Sequence, residues 1–481
     1  MIRKFLNKYN DLSVHVKATA WFLVCAVLQR GISTITTPIF TRLLSTAEYG
    51  QYSTFNSWLS IIQIIVTLQL CGGVYTMGIV KFKDEEKVFT SSLQGLNLVM
   101  CVSWTVIYIL FHDFWNSLFS LTTVQMLAML VMIWATAAFH FWMTTQRNRF
   151  QYRKLVTVTL IVSILKPVVG IFLVTHAQDK VTARIIGLAL VEVICYTGFF
   201  FVQMWEGKKL FSAKFWKYAL LFNLPLLPHY LANTILSSSD RIMIQRIVGD
   251  SAAGIYGLAY SIALVMTMVN ESLNKVMSPW LYQKVRDKDY SGMSKVVYPC
   301  LIIVALANLA LIAVAPELVA IFAPAEYMEA IYVIPPVAMS ALADYMCLCF
   351  APFEFYFEKR SWTTISTLIS AVVNVILNII FINLIGYQAA GYTTLFCTAL
   401  KALFHYYCMR KVCKTYLDDL KPYNPKILLL ISVVFVTVGF VYIPLYSNTI
   451  LRYAVTAVLL LIVFLQRKKL MPLINMVFKK K

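Results

Sequence analysis

Thr41-Arg42-Leu43-Leu44, followed after five residues by Gly50 and Tyr52, reappears 204 residues on as Gln245-Arg246-Ile247-Val248, followed in the same way by Gly254 and Tyr256. Each stretch is a polar interruption between two long apolar runs, near 18–40 and 52–78 in the first case and 217–239 and 253–280 in the second. Working outward, further runs fall near 91–111, 121–143, 155–176, 183–204, 296–323, 328–353, 362–385, 388–409, 427–446 and 450–466. A spanning helix takes roughly 20 mostly apolar residues, so the runs predict fourteen spans. They are too long and too continuous for the ten-residue alternating strands of a closed barrel.

Composition agrees. The 481 residues are 60% hydrophobic and only 13% charged, with a mean hydropathy of +0.72. A soluble domain carries about 25% charged residues. A water-soluble enzyme, a disordered chain and a small secreted scaffold are excluded. The formal charge of +20 is spread over many short loops, which points to topology and anionic headgroups rather than nucleic acid. With the N-terminus inside, inner segments hold 32 Lys and Arg, outer loops hold 6, and four (Arg30, Lys166, Lys275, Lys401) fall within spans. That asymmetry predicts both termini in the cytoplasm. The basic stretch from Met1 to Lys17 is not followed by a small-residue cleavage site, and the ten cysteines show no metal or disulfide spacing.

The 204-residue offset is close to the six-helix period of the hydropathy. Repeats of the same orientation imply two six-helix lobes related by a pseudo-two-fold along the membrane normal, with a cleft between them. The expected division is 1–209 for the first lobe, 210–412 for the second, and 413–481 for two further helices and a basic tail. Fold class is therefore an all-α polytopic membrane protein.

The segment Thr41-Arg42-Leu43-Leu44-Ser45-Thr46-Ala47-Glu48-Tyr49-Gly50 resembles the turn after the first helix of Wzx-type polysaccharide flippases. Asn223-Leu224-Pro225-Leu226-Leu227-Pro228, Ser239-Asp240-Arg241-Ile242-Met243-Ile244 and Ala253-Gly254-Ile255-Tyr256-Gly257-Leu258-Ala259-Tyr260 are similar to the seventh and eighth helices of that family. The resemblance implies a non-enzymatic flippase of the bacterial cytoplasmic (inner) membrane. Its substrate would be an undecaprenyl-diphosphate-linked oligosaccharide, moved to the outer leaflet by alternating access for O-antigen, capsule or exopolysaccharide synthesis. Membrane lipids, and a polysaccharide polymerase and chain-length proteins, are the partners it implies; nucleic acid is not among them. Such a substrate needs a polar cavity, cations for the diphosphate and a groove for the polyprenyl tail. A cation-coupled multidrug antiporter of the same superfamily is the alternative, and it would want acids dominating the cavity.

Charges inside spans are expensive and mark function or internal pairing. Arg30 sits near the centre of the first span. It is either a bidentate phosphate ligand or the partner of Glu192 or Asp344. Lys166, before Pro167, and Lys401, with His405 one turn on, are the other cationic candidates for substrate; Lys401 also has the option of reaching the interface. Asp240 and Arg241 stand at the outer end of span 7, as a solvated helix end or at an outer mouth, where Arg241 is a further candidate for binding substrate. Glu192, Asp344 and Asp240 are candidates for coupling to a proton or sodium gradient; no other cofactor or metal is implied. Glu271 and Lys275 have the spacing of a local ion pair. Pro225 and Pro228 predict a break in span 7. The loop from Arg147 to Lys154 and the terminal Lys479-Lys480-Lys481 read as topological signals. Reporter fusions after Lys209 and Lys421 are therefore expected to report cytoplasmic positions and one at Asn448 an external position; an external reading after Lys421 would overturn the span count.

Overall fold

The computed structural model describes residues 13–290 and 292–465. The basic residues before Ser13 and the Lys479-Lys480-Lys481 tail lie outside them. The described chain is all-α, and its packing divides it into two compact units, 1–234 and 235–481.

Unit 1 contains α1 (Val14–Leu43), α2 (Thr46–Thr67), α3 (Gly73–Lys81), α4 (Glu86–Leu110), the short α5 (His112–Phe119), α6 (Thr123–Asn148), α7 (Tyr152–His176), α8 (Lys180–Gly207) and α9 (Ala213–Asn223). The unit boundary falls within α10 (Leu227–Ile247). Unit 2 continues with α11 (Asp250–Ala263), α12 (Val265–Arg286), α13 (Met293–Ala313), the short α14 (Ala315–Phe322), α15 (Ile334–Tyr356), α16 (Arg360–Ile385), α17 (Ala389–Tyr416), α18 (Pro425–Leu445) and α19 (Thr449–Leu465). Among the described residues, eleven helical segments are long and apolar enough to cross a membrane. The other three expected spans fall on α2, α17 and α19. The first two carry too many polar side chains, such as Gln51, Asn56 and Gln63 on α2 and Lys401, Arg410 and Lys411 on α17. The third has a shorter apolar run.

The repeated motif occupies the same local structure twice. α1 ends at Leu43 and α2 begins at Thr46; α10 ends at Ile247 and α11 begins at Asp250. Both boundaries obey the 204-residue offset. In the first turn Ser45 and Glu48 form a reciprocal capping box, each side chain meeting the other's backbone N–H. In the second, Gly249 takes φ +127°, a conformation that a side chain would strain. The order long, short, long, long, long in α4–α8 recurs in α13–α17.

The expected second span is not one helix. Leu68 and Gln69 adopt φ of +48° and +52°, so α2 stops there and α3 restarts after Gly72. The freed Leu68 carbonyl accepts from Asn223 Nδ2 at 2.8 Å, which answers the need for a partner where a helix breaks in an apolar medium. Span 7 is interrupted as its prolines predict: a 3₁₀ turn over Leu224–Leu226 separates α9 from α10.

Within unit 1, α8 packs against α4, α6 and α7, and α1 against α7. Glycine permits the closest approach: a Cβ on Gly207 of α8 would collide with the Lys87 carbonyl and Ser91 of α4. Phe89, Leu93, Phe141 and Phe215 fill the core between α4, α6 and α9. Within unit 2, α15 is the centre, contacting α12, α13, α17 and α18; seventeen of its residues are buried.

Candidate functional site

Unit 1 encloses a cavity of about 290 Å³. α6 presents Thr136, His140 and Arg147 to it on one helical stripe, α1 presents Gln29, α7 presents Lys166 and α8 presents Tyr196. The spacing of the α6 residues, four then seven, keeps them on one face. Lys166 Nζ donates to Glu192 Oε1 at 2.6 Å, and Thr136 Oγ1 donates to Glu192 Oε2 at 2.8 Å. Lys166 also stands 5.8 Å from the centre of the Tyr196 ring. Glu192 is thus held on both oxygens. Arg147 forms no ion pair among the described residues. The cavity therefore has two permanent cations against one carboxylate.

Arg30 follows the wall residue Gln29 on α1 but is not itself among the residues that line the cavity. It is half-buried on α1, while the α1 residues lining the cavity are Phe22, Cys25, Ala26 and Gln29. Among the described residues Arg30 has no ion-pair partner. Neither acid considered for it is available: Glu192 is taken by Lys166 and Asp344 by Lys401.

Unit 2 holds a second lysine–carboxylate pair, Lys401 Nζ to Asp344 Oδ1 at 2.6 Å. Lys401 and Glu192 are each the thirteenth residue of their helices, α17 and α8, so these two corresponding helices carry opposite charges, while the partners come from different places: Lys166 from α7 and Asp344 from α15. In unit 1 the cation is the more exposed member, 29% against 9%. In unit 2 it is the carboxylate, 39% against 13%.

Asp240 is neither a solvated helix end nor at a mouth. It is 1% exposed and enclosed by α10, α11, α16 and α17. Oδ1 accepts from Asn378 Nδ2 at 2.7 Å; Oδ2 accepts from Tyr256 Oη at 2.6 Å and Thr394 Oγ1 at 2.9 Å. Asn374 and Thr393 complete the network through Asn378. Tyr256 belongs to the repeated motif, and Asn374 and Asn378 stand one turn apart on α16; the packing of these helices around α10 is what buries Asp240. Arg241, its neighbour, turns away, donating to the Ser237 carbonyl at 2.7 Å and covering the Tyr260 ring at 4.6 Å.

Several polar residues escaped the sequence reading. Glu354 is fully buried and meets His405 Nδ1 at 2.7 Å, while His405 Nε2 meets Ser366 Oγ at 3.0 Å. Its place at the edge of an apolar run hid it. Arg452, near the start of α19, is 1% exposed and paired to Glu317, joining α19 to α14. Arg147 was read as a topological charge; the Thr136–His140–Arg147 stripe is the signal that would have placed it. Glu271 and Lys275 are both exposed on α12 and form no ion pair among the described residues, so the local pairing expected from their spacing is not made.

An apolar groove of about 410 Å³ lies in unit 2 along α15, α17 and α18, lined among others by Leu342, Met346, Phe350, Leu403, Leu429 and Phe435.

Many apolar helices, buried paired charges and a cavity lined by Lys166 and Arg147 define a multi-pass membrane protein. Residues 15–285 match the family described as "Polysaccharide biosynthesis protein", and the chain belongs to that family. It is 23% identical over 291 residues to the "Lsg locus putative protein 1" of Haemophilus influenzae, covering 56% of this chain and 67% of that protein. Its fold is shared with an inward-facing multidrug resistance MATE transporter of the MOP superfamily (TM-score 0.60, 13% identity, 80% of this chain and 96% of the other). It is shared as well with the lipid II flippase MurJ in an inward closed conformation (TM-score 0.61, 14% identity, 91% and 100%).

Removing His405 leaves Glu354 buried without its partner, which typically costs about 3–5 kcal/mol. His405→Leu is expected to lower the midpoint of thermal unfolding in detergent clearly below that of His112→Ala, an exposed control, and Glu354→Gln to fall between them.

Proposed function

We propose that this protein is a flippase that carries an undecaprenyl-diphosphate-linked oligosaccharide from the inner to the outer leaflet of the bacterial cytoplasmic membrane by alternating access. It would serve the synthesis of a surface polysaccharide such as O-antigen, capsule or exopolysaccharide, with both termini cytoplasmic. A polymerase and chain-length proteins, which take up such a product, are proposed as partners. The observation that carries the reading is the cationic excess of the unit 1 cavity: Lys166 and Arg147 against Glu192, with Arg30, which follows the wall residue Gln29, paired to no acid among the described residues. A diphosphate is complementary to it; the cationic drugs of an antiporter are not. Guanidinium groups bind phosphate bidentately, which an ammonium does not reproduce. The apolar groove along α15, α17 and α18 has the chemistry for a polyisoprenoid tail, and the family match supports the polysaccharide pathway.

Coupling belongs to Asp240 in this proposal. Glu192 and Asp344 are each neutralised by a lysine, whereas Asp240 is buried among neutral donors only. A buried carboxylate without a cation is strongly disfavoured, so a proton or sodium ion is its natural complement. Export of the anionic substrate is itself assisted by an inside-negative potential, at about 2.3 kcal/mol per charge per 100 mV.

In cells whose surface polysaccharide depends on this chain, Arg30→Ala and Arg147→Ala are each expected to reduce polymer severely at unchanged protein level, with Arg→Lys at either position rescuing only partly. Normal polymer in both alanine variants would refute the diphosphate assignment. In proteoliposomes, Asp240→Asn is expected to flatten the pH or sodium dependence of transport while Asp344→Asn leaves that dependence in place. The reverse result would move the coupling site to the lysine pair of unit 2.

A further inference from the structure

The Lys166–Glu192 pair presents its two members unequally. Glu192 is anchored from behind by Thr136 and is 9% exposed, whereas Lys166 carries its charge on a flexible stem and is 29% exposed at the cavity. An anion entering the cavity therefore meets the lysine first. The other charged or titratable groups near Glu192 are His140 and Arg147 of α6, Cys195 and Tyr196 of α8, and Cys25 of α1. Lys166 is the only one of them in contact with the carboxylate through a permanent positive charge. An anion that binds Lys166 competes with Glu192 for the same positive charge.

We propose that Glu192 is a built-in competitor for the substrate's diphosphate: loading transfers Lys166 from Glu192 to the phosphate oxygens, and recapture of Lys166 by Glu192 drives release. The inference rests on the diphosphate reading of the cavity and adds a role to a residue that need not touch substrate. The empty cavity has Lys166 matched, so it is not left as a bare cationic trap. The loaded cavity has the diphosphate facing Lys166 and Arg147 while Glu192 keeps only the Thr136 hydroxyl. Affinity is thereby lowered by a restoring force that returns the site to its empty arrangement. Glu192 is a positioning residue in this scheme. Its loss should strengthen binding and slow turnover, whereas loss of a merely structural ion pair would weaken both.

The test uses the purified full-length protein in detergent with farnesyl diphosphate as probe, followed by intrinsic tryptophan fluorescence, beside surface-polymer measurements in cells. Glu192→Gln is expected to bind the probe roughly tenfold tighter, within the range usual for coupled equilibria, yet to export less polymer. Glu192→Asp, which keeps the charge on a shorter arm, should give an intermediate gain. Lys166→Met should weaken binding, and in its background Glu192→Gln should bring no further tightening, the signature of a shared interaction. Unchanged or weaker binding in both Glu192 variants, or an equal gain without Lys166, would overturn the competitor role while leaving the flippase reading intact. Failure of the wild-type protein to bind the probe would overturn the diphosphate reading itself and the competitor role with it.

Discussion

A charge withdrawn from water into an apolar surround must find a partner, and most of the functional architecture of this protein answers that demand. Lys166 meets Glu192 in unit 1; Lys401 meets Asp344, His405 meets Glu354 and Arg452 meets Glu317 in unit 2. The first pair joins the consecutive helices α7 and α8, while the other three join helices that are not neighbours in the chain. Asp240 is the instructive exception, because its three hydrogen bonds come from neutral groups. Hydrogen bonds orient a carboxylate but do not cancel its charge, and the coupling role proposed for Asp240 rests on that residual charge.

The same demand shapes the backbone. The breaks at Leu68–Gly72 and Leu224–Leu226 expose carbonyls that a continuous helix would satisfy internally. Asn223, at the end of α9, answers the first of them. Polar residues at helix interruptions in unit 1 are therefore part of the packing. Close approach of α4 and α8 through Gly207 brings the helix carrying Glu192 into a tightly packed setting, so the anchored member of the ion pair stands on a rigid element and the movable member on a flexible side chain.

Opposite charges at the thirteenth residues of α8 and α17 give the two units different chemistry from a repeated helix order. Unit 1 presents a lysine and an unpaired arginine to a polar cavity; unit 2 presents a carboxylate and, elsewhere, an apolar groove.

Helical class, span positions and the repeated turn were legible in the sequence because they depend on local quantities: apolar run length, capping residues and the 204-residue register of Arg42, Gly50 and Tyr52 with Arg246, Gly254 and Tyr256. The cationic character of the core was legible too, since Arg30 and Lys166 stand within apolar runs. Pairing was not. Whether Lys166 or Arg30 would take Glu192, whether Asp240 faced water, and that Glu354 and Arg452 were buried depend on which helix faces meet, and those faces are brought together by packing between segments up to 154 residues apart, as in Thr394 with Asp240. Hydropathy reports the average environment of a segment; only tertiary structure decides which neighbour a single charged atom finds there.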